Sequence, residues 1–439
     1  MRSSKSRLTG ALVVVVAGAL ALTACGGSSG GSSGSGGGGG KTTITLLTDN
    51  APTTAAQSKA VVAAFEKANP TIKVDVSTRP GGSDGDNIVK TKLSTGDMAD
   101  VFWYNSGSLL QALAPSKNLV DLTNDPAIAN VDKSFLPVVS DSGKVYGAPQ
   151  GSSFGGGILY NKAEYAKLGL QVPKTWSDFI ANCDKIKAAG KTAIEGSFKA
   201  PDTWTTQLFV LADFYNLQKS DPSFVADYTA NKAKYATTPA ALAGFKKLEE
   251  MTKKGYYQHG AGSTTFTQGV AALAAGKAVQ YPMLGFALAS LPKDQLANIG
   301  YFGIPGDDAA SAGATVWEPG GAYIPKASKH IAEAKKFLAF TASPAGTAVQ
   351  AAAVPPTGPY LVTGSTLPAD APQAAKDLQA YFDAKVTSPA LEFLSPVKGP
   401  SLEQITTAVA TGQTSAEKAA SQYDSDVTKQ AKQLGLPGW

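Results

Sequence analysis

The chain has 439 residues, a formal charge of +5, 43% hydrophobic and 8% aromatic side chains, which is enough to bury a sizeable core and too much for a single ordinary one. Arg2, Lys5 and Arg7 carry most of the excess charge, since without them 36 basic residues face 34 acidic ones, a net of +2. A body so close to neutral gives no reason to expect nucleic acid or an anionic membrane surface as a partner.

Residues 1–24 read as a signal peptide: after the cationic start, the apolar run from Ala11 to Leu22 spans about a dozen residues, too short to cross a bilayer as a mature helix. The small residues before Cys25 resemble the lipobox of bacterial lipoproteins, whose cysteine is acylated and becomes the mature N-terminus. That resemblance makes Cys25 the lipidation site. Residues 25–40, otherwise only Gly and Ser, become a flexible tether with a reach of roughly 20 Å. It implies an exported protein on the extracellular face of the cell membrane, joined to that membrane through its lipid anchor alone. With Cys25 so used, Cys183 stands alone, no disulfide forms, and packing must hold the fold.

From Thr43 to Leu47 the alternation predicts a strand that runs into Thr48-Asp49-Asn50. Val61, Val62 and Phe65 mark one face of a helix from about Thr53 to Ala68, stopped by Asn69-Pro70. Thr71 to Ser77 is the next strand, with Ile72, Val74 and Val76 on one side and Arg79 in its exit loop. A helix carrying Ile88, Val89 and Leu93 leads to a third strand, Asp100 to Tyr104, which exits through Asn105 and Ser106. Strand, helix, strand, helix, strand predicts a parallel, right-handedly wound sheet. Ligands collect where the carboxyl ends of such strands open, so Asp49, Asn50, Arg79, Tyr104, Asn105 and Ser106 converge on one rim.

The stretch Gly151-Ser152-Ser153-Phe154-Gly155-Gly156-Gly157 between two extended segments reads as a hinge, and no Lys-Ser/Thr follows it as a phosphate loop requires. Thr175 with Asp178 forms a capping box for a helix whose buried stripe carries Phe179, Cys183 and Ile186, with the thiol as a small core hydrophobe. A helix from Val270 to Ala275, a strand from Lys277 to Pro282, extended stretches at Ile299 to Ile304 and around Trp317, and a mainly helical tail follow. His259 and His330 are not spaced as a metal pair, and Asp84-Gly85-Asp86 lacks the further acidic ligands that calcium needs. No metal and no cofactor is expected.

The order of these segments resembles the extracellular solute-binding proteins that deliver carbohydrates to bacterial ABC importers. Its marks are Phe65 to Val74, Lys92 to Gly96 before Asp100-Val101, Gly147-Ala148-Pro149 leading to Tyr160-Asn161, Pro173 to Phe179, Phe266 to Ala278, and Gly320-Gly321 before Ala334 to Leu338. The resemblance implies an α/β fold, two-lobed and periplasmic-binding-protein-like (type II-like), with a hinge and a ligand cleft between the lobes. Mapped onto this chain, lobe 1 takes residues 41–149 plus 277–318 and lobe 2 takes residues 150–276 plus 319–439. It also implies a monomer whose partners are a small-molecule sugar and the importer's permease subunits.

A sugar needs planar polar side chains around its edge and an aromatic plate under its face. Asp49, Asn50, Arg79, Tyr104, Asn105 and Ser106 are the candidates from the first lobe; Ser152, Ser153, Glu318 and Gly320 are those at the crossings. Trp204, Phe286 and Trp317 are the aromatic candidates, while Trp103 and Trp176 lie inside apolar patterns and belong to the core. Family members often carry tryptophan where Phe286 stands. A lipid-anchored glycoside hydrolase is the alternative from another class, and it would need two carboxylates about 5 to 10 Å apart, for which Asp49 and Glu318 are the available pair. A surface lipoprotein with an interaction role alone would not need such a cleft.

Overall fold

The computed structural model describes residues 41–439, so the expected signal peptide, the expected lipidation site Cys25 and the Gly/Ser linker lie outside the described residues. Among the described residues no helix is long and apolar enough to cross a membrane. The chain begins with β1 (Thr42–Asp49), whose alternation buries Ile44 and Leu46, and α1 (Pro52–Ala68), which buries Val61 and Phe65. Asn69 ends α1 because its amide and its side chain both bond to Phe65 O. β2 (Ile72–Arg79), α2 (Gly82–Thr95) and β3 (Val101–Tyr104) complete the predicted parallel winding. Val76, on the same side as the buried Ile72 and Val74, is 43% exposed, near the open end of β2, an edge strand with a neighbour on one side only.

After β4 (Gly147–Gln150) the chain crosses into a second sheet at β5 (Phe154–Asn161). There α3 (Trp176–Ala188) starts from the expected capping box: Asp178 N donates to Thr175 Oγ1 at 3.2 Å and Thr175 N to Asp178 Oδ2 at 3.1 Å. Cys183 is buried on it, takes the Gln280 amide at 3.3 Å, and burial pushes its thiol up to about 12, as an inert core residue requires. β6 (Thr192–Ile194), α4 (Phe266–Ala274), β7 (Ala278–Leu284), β8 (Ile299–Phe302) and β9 (Ala314–Trp317) follow. A second capping box, Thr265 with Gln268, starts α4 four residues earlier than the periodicity alone suggests. The chain returns to the first sheet at β10 (Gly320–Tyr323), adds α5 (Ile331–Thr341) and α6 (Pro344–Ala353), and crosses once more to α7 (Gln373–Asp383), β11 (Thr387–Pro389) and the long α8 (Ala416–Gln433).

The first sheet has the order β2-β1-β3-β10-β4 and the second β11-β9-β5-β7-β6, with β8 paired to the outer half of β5. Two separate cores back them, one running through residues 44–148 and 322–362, the other through 158–317 and 374–431.

This corrects the expected division of the chain. Residues 277–318 do not join the first lobe, since β7 and β9 both pair antiparallel with β5, and residues 319–362 do not join the second, since β10 lies between β3 and β4. The reason is chain length: only three residues separate α4 from β7, too few to leave the lobe, whereas Glu318-Pro319 is an extended pair between strands of different sheets. The glycines of the expected hinge also divide. Residues 151–153 make the crossing, but Gly155 and Gly156 belong to β5, where a Cβ would stand 2.5 Å from the Tyr301 ring and 2.1 Å from the Trp317 ring. They are there to let two aromatic rings lie flat on the strand.

Candidate functional site: the cleft between the lobes

A cavity of about 660 Å³ opens between the lobes at the crossings, with Asn105, Ser106 and Leu109 on the lobe 1 side and Phe154, Trp317 and Glu392 opposite. Lobe 1 presents its wall through the turn after β3. Gly107 carries φ +68°, and a Cβ there would meet the Phe393 ring at 2.7 Å, so only glycine lets the turn seat against lobe 2. Asn105 is exposed, its carbonyl held by Tyr323 Oη at 3.1 Å, which leaves its amide side chain free in the cavity.

Lobe 2 supplies the apolar surface. Trp317 is only 6% exposed; its indole N–H donates to Glu392 Oε1 at 2.6 Å, and Lys398 holds the other oxygen of Glu392 at 3.0 Å. Phe154 stacks beside it, centroids 6.5 Å apart and planes 12° apart. The series continues through Phe286 (5.8 Å from Phe154), Trp204 (5.9 Å further) and Phe266 (5.7 Å beyond). Five rings thus form one strip that starts in the cavity, and Phe286 on it is 38% exposed.

Of the expected residues, Asn105, Ser106, Trp317, Glu318 and Gly320 line the cavity. Ser106 is committed, donating to Pro319 O at 2.9 Å. Trp204 and Phe286 belong to the strip rather than to the cavity wall. The remaining six are elsewhere. Asp49 Oδ1 accepts the Ala51 amide at 2.9 Å, and Asn50 points to solvent, so they shape the turn into α1. Asp49 therefore does not stand across the cavity from Glu318, and the carboxylate pair considered for a hydrolase is not assembled. Arg79 is neither surface nor cavity lining: it is buried, donates to Pro80 O and Trp103 O at 3.0 and 3.4 Å, and lies 5.4 Å from the Tyr104 ring. Tyr104 is buried beneath it, its hydroxyl pushed well above its ordinary range by burial and by Asp86. Ser153 is fully buried with both N and Oγ on Pro359 O at 2.9 Å, and Ser152 Oγ is 3.1 Å from Thr357 Oγ1. The two serines tie the 357–359 segment to the crossing. Asp49, Arg79, Ser152 and Ser153 share one physical feature: each polar side chain, at a strand end or a crossing, first satisfies nearby backbone and neighbours.

Glu318 is the one ionisable group at the floor. It is 5% exposed, its Oε2 has no hydrogen-bond partner, and burial, reinforced by Asp132, pushes it up to about 8. Sequence reasoning missed Phe154, Gln207, Glu392, Phe393, Lys398 and Glu403 among the lining residues. Pro389, Pro396 and Pro400, which interrupt the helical tail on either side of Glu392-Phe393, were the available signal. Among the described residues no group of three His, Cys, Asp or Glu side chains gathers to hold a metal.

The model of the bacterial extracellular solute-binding protein family matches residues 50–348. The chain is 26% identical over 296 residues to the multiple sugar-binding protein of Streptococcus mutans, covering 65% of this chain and 67% of that protein. It is 26% identical over 343 residues to the melibiose/raffinose/stachyose-binding protein MelE of Bacillus subtilis, 75% of each. In fold it is similar to the ligand-free form of RafE from Streptococcus pneumoniae, with a TM-score of 0.75, 21% identity, and coverage of 89% of this chain and 98% of that one. With the two-lobed architecture and the cleft, these matches give the conclusion that the chain belongs to the bacterial extracellular solute-binding protein family.

Proposed function

We propose that this protein captures a sugar in the interlobe cleft and delivers it to the permease subunits of an ABC importer, without catalysis. One observation carries the reading: a cavity of about 660 Å³ walled from both lobes, in which free polar groups such as Asn105 and Glu318 face an aromatic surface that continues out of the cavity. Sugars have that same division into a hydroxyl edge and a weakly apolar face. The names of the relatives, binders of multiple sugars, melibiose, raffinose and stachyose, support it. Asn105, Trp317, Glu318 and Gly320 make the central subsite, with Phe286 and Trp204 extending it along the strip. Phe286 gives a smaller plate than the tryptophan common in the family, which favours a short saccharide there. The family is exported; acylation of Cys25 would hold this member, as a monomer, near its importer on the Gly/Ser leash.

A thermal-shift panel of the mature protein against melibiose, raffinose, stachyose and xylan and chitin oligosaccharides tests the proposal, followed by analysis of the bound sugar. A sugar that raises the midpoint and is recovered intact supports it. A cleaved product would falsify it, as would a panel without any shift.

A further inference from the structure

Glu318 is an anomaly among the acids of this molecule. It lies on the two-residue crossing between β9 and β10, lines the cavity, is 5% exposed, and leaves Oε2 without a partner. A buried carboxylate in such a place is ordinarily matched by a cation or by several N–H donors. Neither is present. The ionisable groups around the cavity are Lys90 from α2, Glu392 and Lys398, which bond each other at 3.0 Å, and Glu403, which accepts the Thr203 hydroxyl. Behind the crossing stands Asp132, a second acid, and no basic side chain counters it at Glu318. Lobe 1 packs the neutral Asn105 and Ser106 against the same wall, and Ser106 spends its proton on Pro319 O.

We infer that Glu318 meets the solute as a neutral carboxylic acid, donating its O–H to an acceptor oxygen of the sugar, and that loss of this proton ends tight capture at alkaline pH. The inference rests on the cleft being the sugar site. A carboxylate only accepts hydrogen bonds, whereas the acid donates one and accepts another. Ring and glycosidic oxygens of a sugar have no proton to give, so an ionised Glu318 would face them as an unpaired, desolvated charge and the neutral acid would face them as a partner. Closure of the lobes removes further water and sharpens that choice. Burial holding the carboxyl up to about 8 agrees with this assignment, since the group is then protonated at neutral pH. The proton balance is simple. Below that value no proton moves on binding; above it one proton is taken up with each sugar, and affinity falls about tenfold for each further pH step of one.

The test has two parts. The carboxyl carbon of Glu318 is followed by NMR in the ligand-free protein labelled at glutamate, assigned by its absence in Glu318→Gln, with Glu195→Gln to identify the other acid held up to about 8. Affinity for raffinose, or for the panel sugar with the largest shift, is then measured by calorimetry from about pH 6 to about pH 10. The expected results are a Glu318 midpoint near 8, wild-type affinity that declines about tenfold per pH step above it, and a Glu318→Gln affinity that stays within about threefold across the range. Wild-type affinity level to pH 10, a parallel decline in Glu318→Gln, or a midpoint below about 6 overturns the inference. A panel with no binding sugar overturns the sugar reading itself, and the NMR midpoint then still decides whether the acid is neutral.

Discussion

The two lobes hold most of their buried and half-buried acids in opposite ways. In lobe 1, burial alone would raise Asp100, but hydrogen bonds from Ser328 Oγ at 2.7 Å and from Thr45 N and Oγ1 at 2.8 and 2.9 Å hold it below the usual carboxylate range. Asp125 is likewise held down against burial by Lys335 and by the Ala127 amide. In lobe 2 burial wins at four acids, while Lys167 and Lys191 hold Glu164 below its ordinary value. Burial raises Asp213 against Lys247, Asp377 against Gln373 and the Tyr301 amide, Asp424 against the Ala236 and Tyr235 amides, and Glu195 up to about 8 although Gln258 Nε2 donates to Oε1 at 2.8 Å. The difference follows from where the acids sit. In lobe 1 Asp100 has two hydroxyls and Asp125 a lysine in addition to an amide, while Asp377 and Asp424, within helices whose own N–H groups are already spent, draw on amides of other segments that do not outweigh burial.

The sign of the pH dependence is therefore opposite in the two lobes. A depressed acid stabilises above its unfolded value, and that stability is lost as pH falls through the folded value; a raised acid stabilises below its unfolded value, and that stability is lost as pH rises through the folded value. Lobe 1 should loosen first in acid and lobe 2 first in alkali, which hydrogen exchange, corrected for intrinsic rates, resolves strand by strand. Glu195→Gln gives the largest single effect. A rise from 4.5 to about 8 corresponds to about 5 kcal/mol, and partial solvent access reduces it to about 3 kcal/mol. The variant should be more stable than wild type by that amount near pH 9 and equal to it near pH 4. Equal stability at both ends would break the contrast.

Each lobe also keeps a glycine under an aromatic ring where it meets the crossing. A Cβ on Gly156 would stand 2.1 Å from the Trp317 ring, and one on Gly321 would stand 2.2 Å from Tyr323 Oη. Valine at either position should cost about 2 kcal/mol through overpacking, read as the denaturant midpoint. The two variants part in binding: Gly156→Val displaces a ring that lines the cavity and should weaken sugar affinity at least tenfold, whereas Gly321→Val displaces Tyr323 Oη from the Asn105 carbonyl, behind the polar wall, and should weaken it only about threefold. Parallel loss of affinity in both would mean that the lobes do not divide the work in this way.

The fold was largely legible because it is written in periodicity. The β1-α1-β2-α2-β3 winding, the Thr175-Asp178 cap, the stop at Asn69-Pro70 and the burial of Trp103 and Cys183 are local patterns, and local patterns survive folding. The assignment of residues 277–362 to lobes was not legible in the same way. It depends on which strand edge accepts β7, β9 and β10, a long-range pairing that no window of sequence contains. The site was legible only in part, for a further reason. Arg79, Ser152 and Ser153 have the chemistry of sugar ligands, and the fold spends it on Pro80, Trp103, Thr357 and Pro359. Glu392 looked like an ordinary tail residue, and its role under Trp317 depends on a contact 75 positions away in the chain.

The smallest effect tests the polar side of the cleft. Trp317 and Asn105 face the same cavity from opposite lobes. An aromatic contact that excludes water is worth about 1 to 3 kcal/mol in binding, while one neutral hydrogen bond exchanged with water is worth about 1 kcal/mol. Trp317→Ala should therefore weaken sugar binding about tenfold or more, and Asn105→Ala about fivefold. Asp49→Asn should change it by less than about twofold, since asparagine keeps the oxygen that accepts the Ala51 amide. The ratio between the first two carries the argument. If Asn105→Ala costs as much as Trp317→Ala, the turn after β3 supplies affinity as well as selectivity, and lobe 1 is an equal platform for the sugar rather than the lid that closes on it.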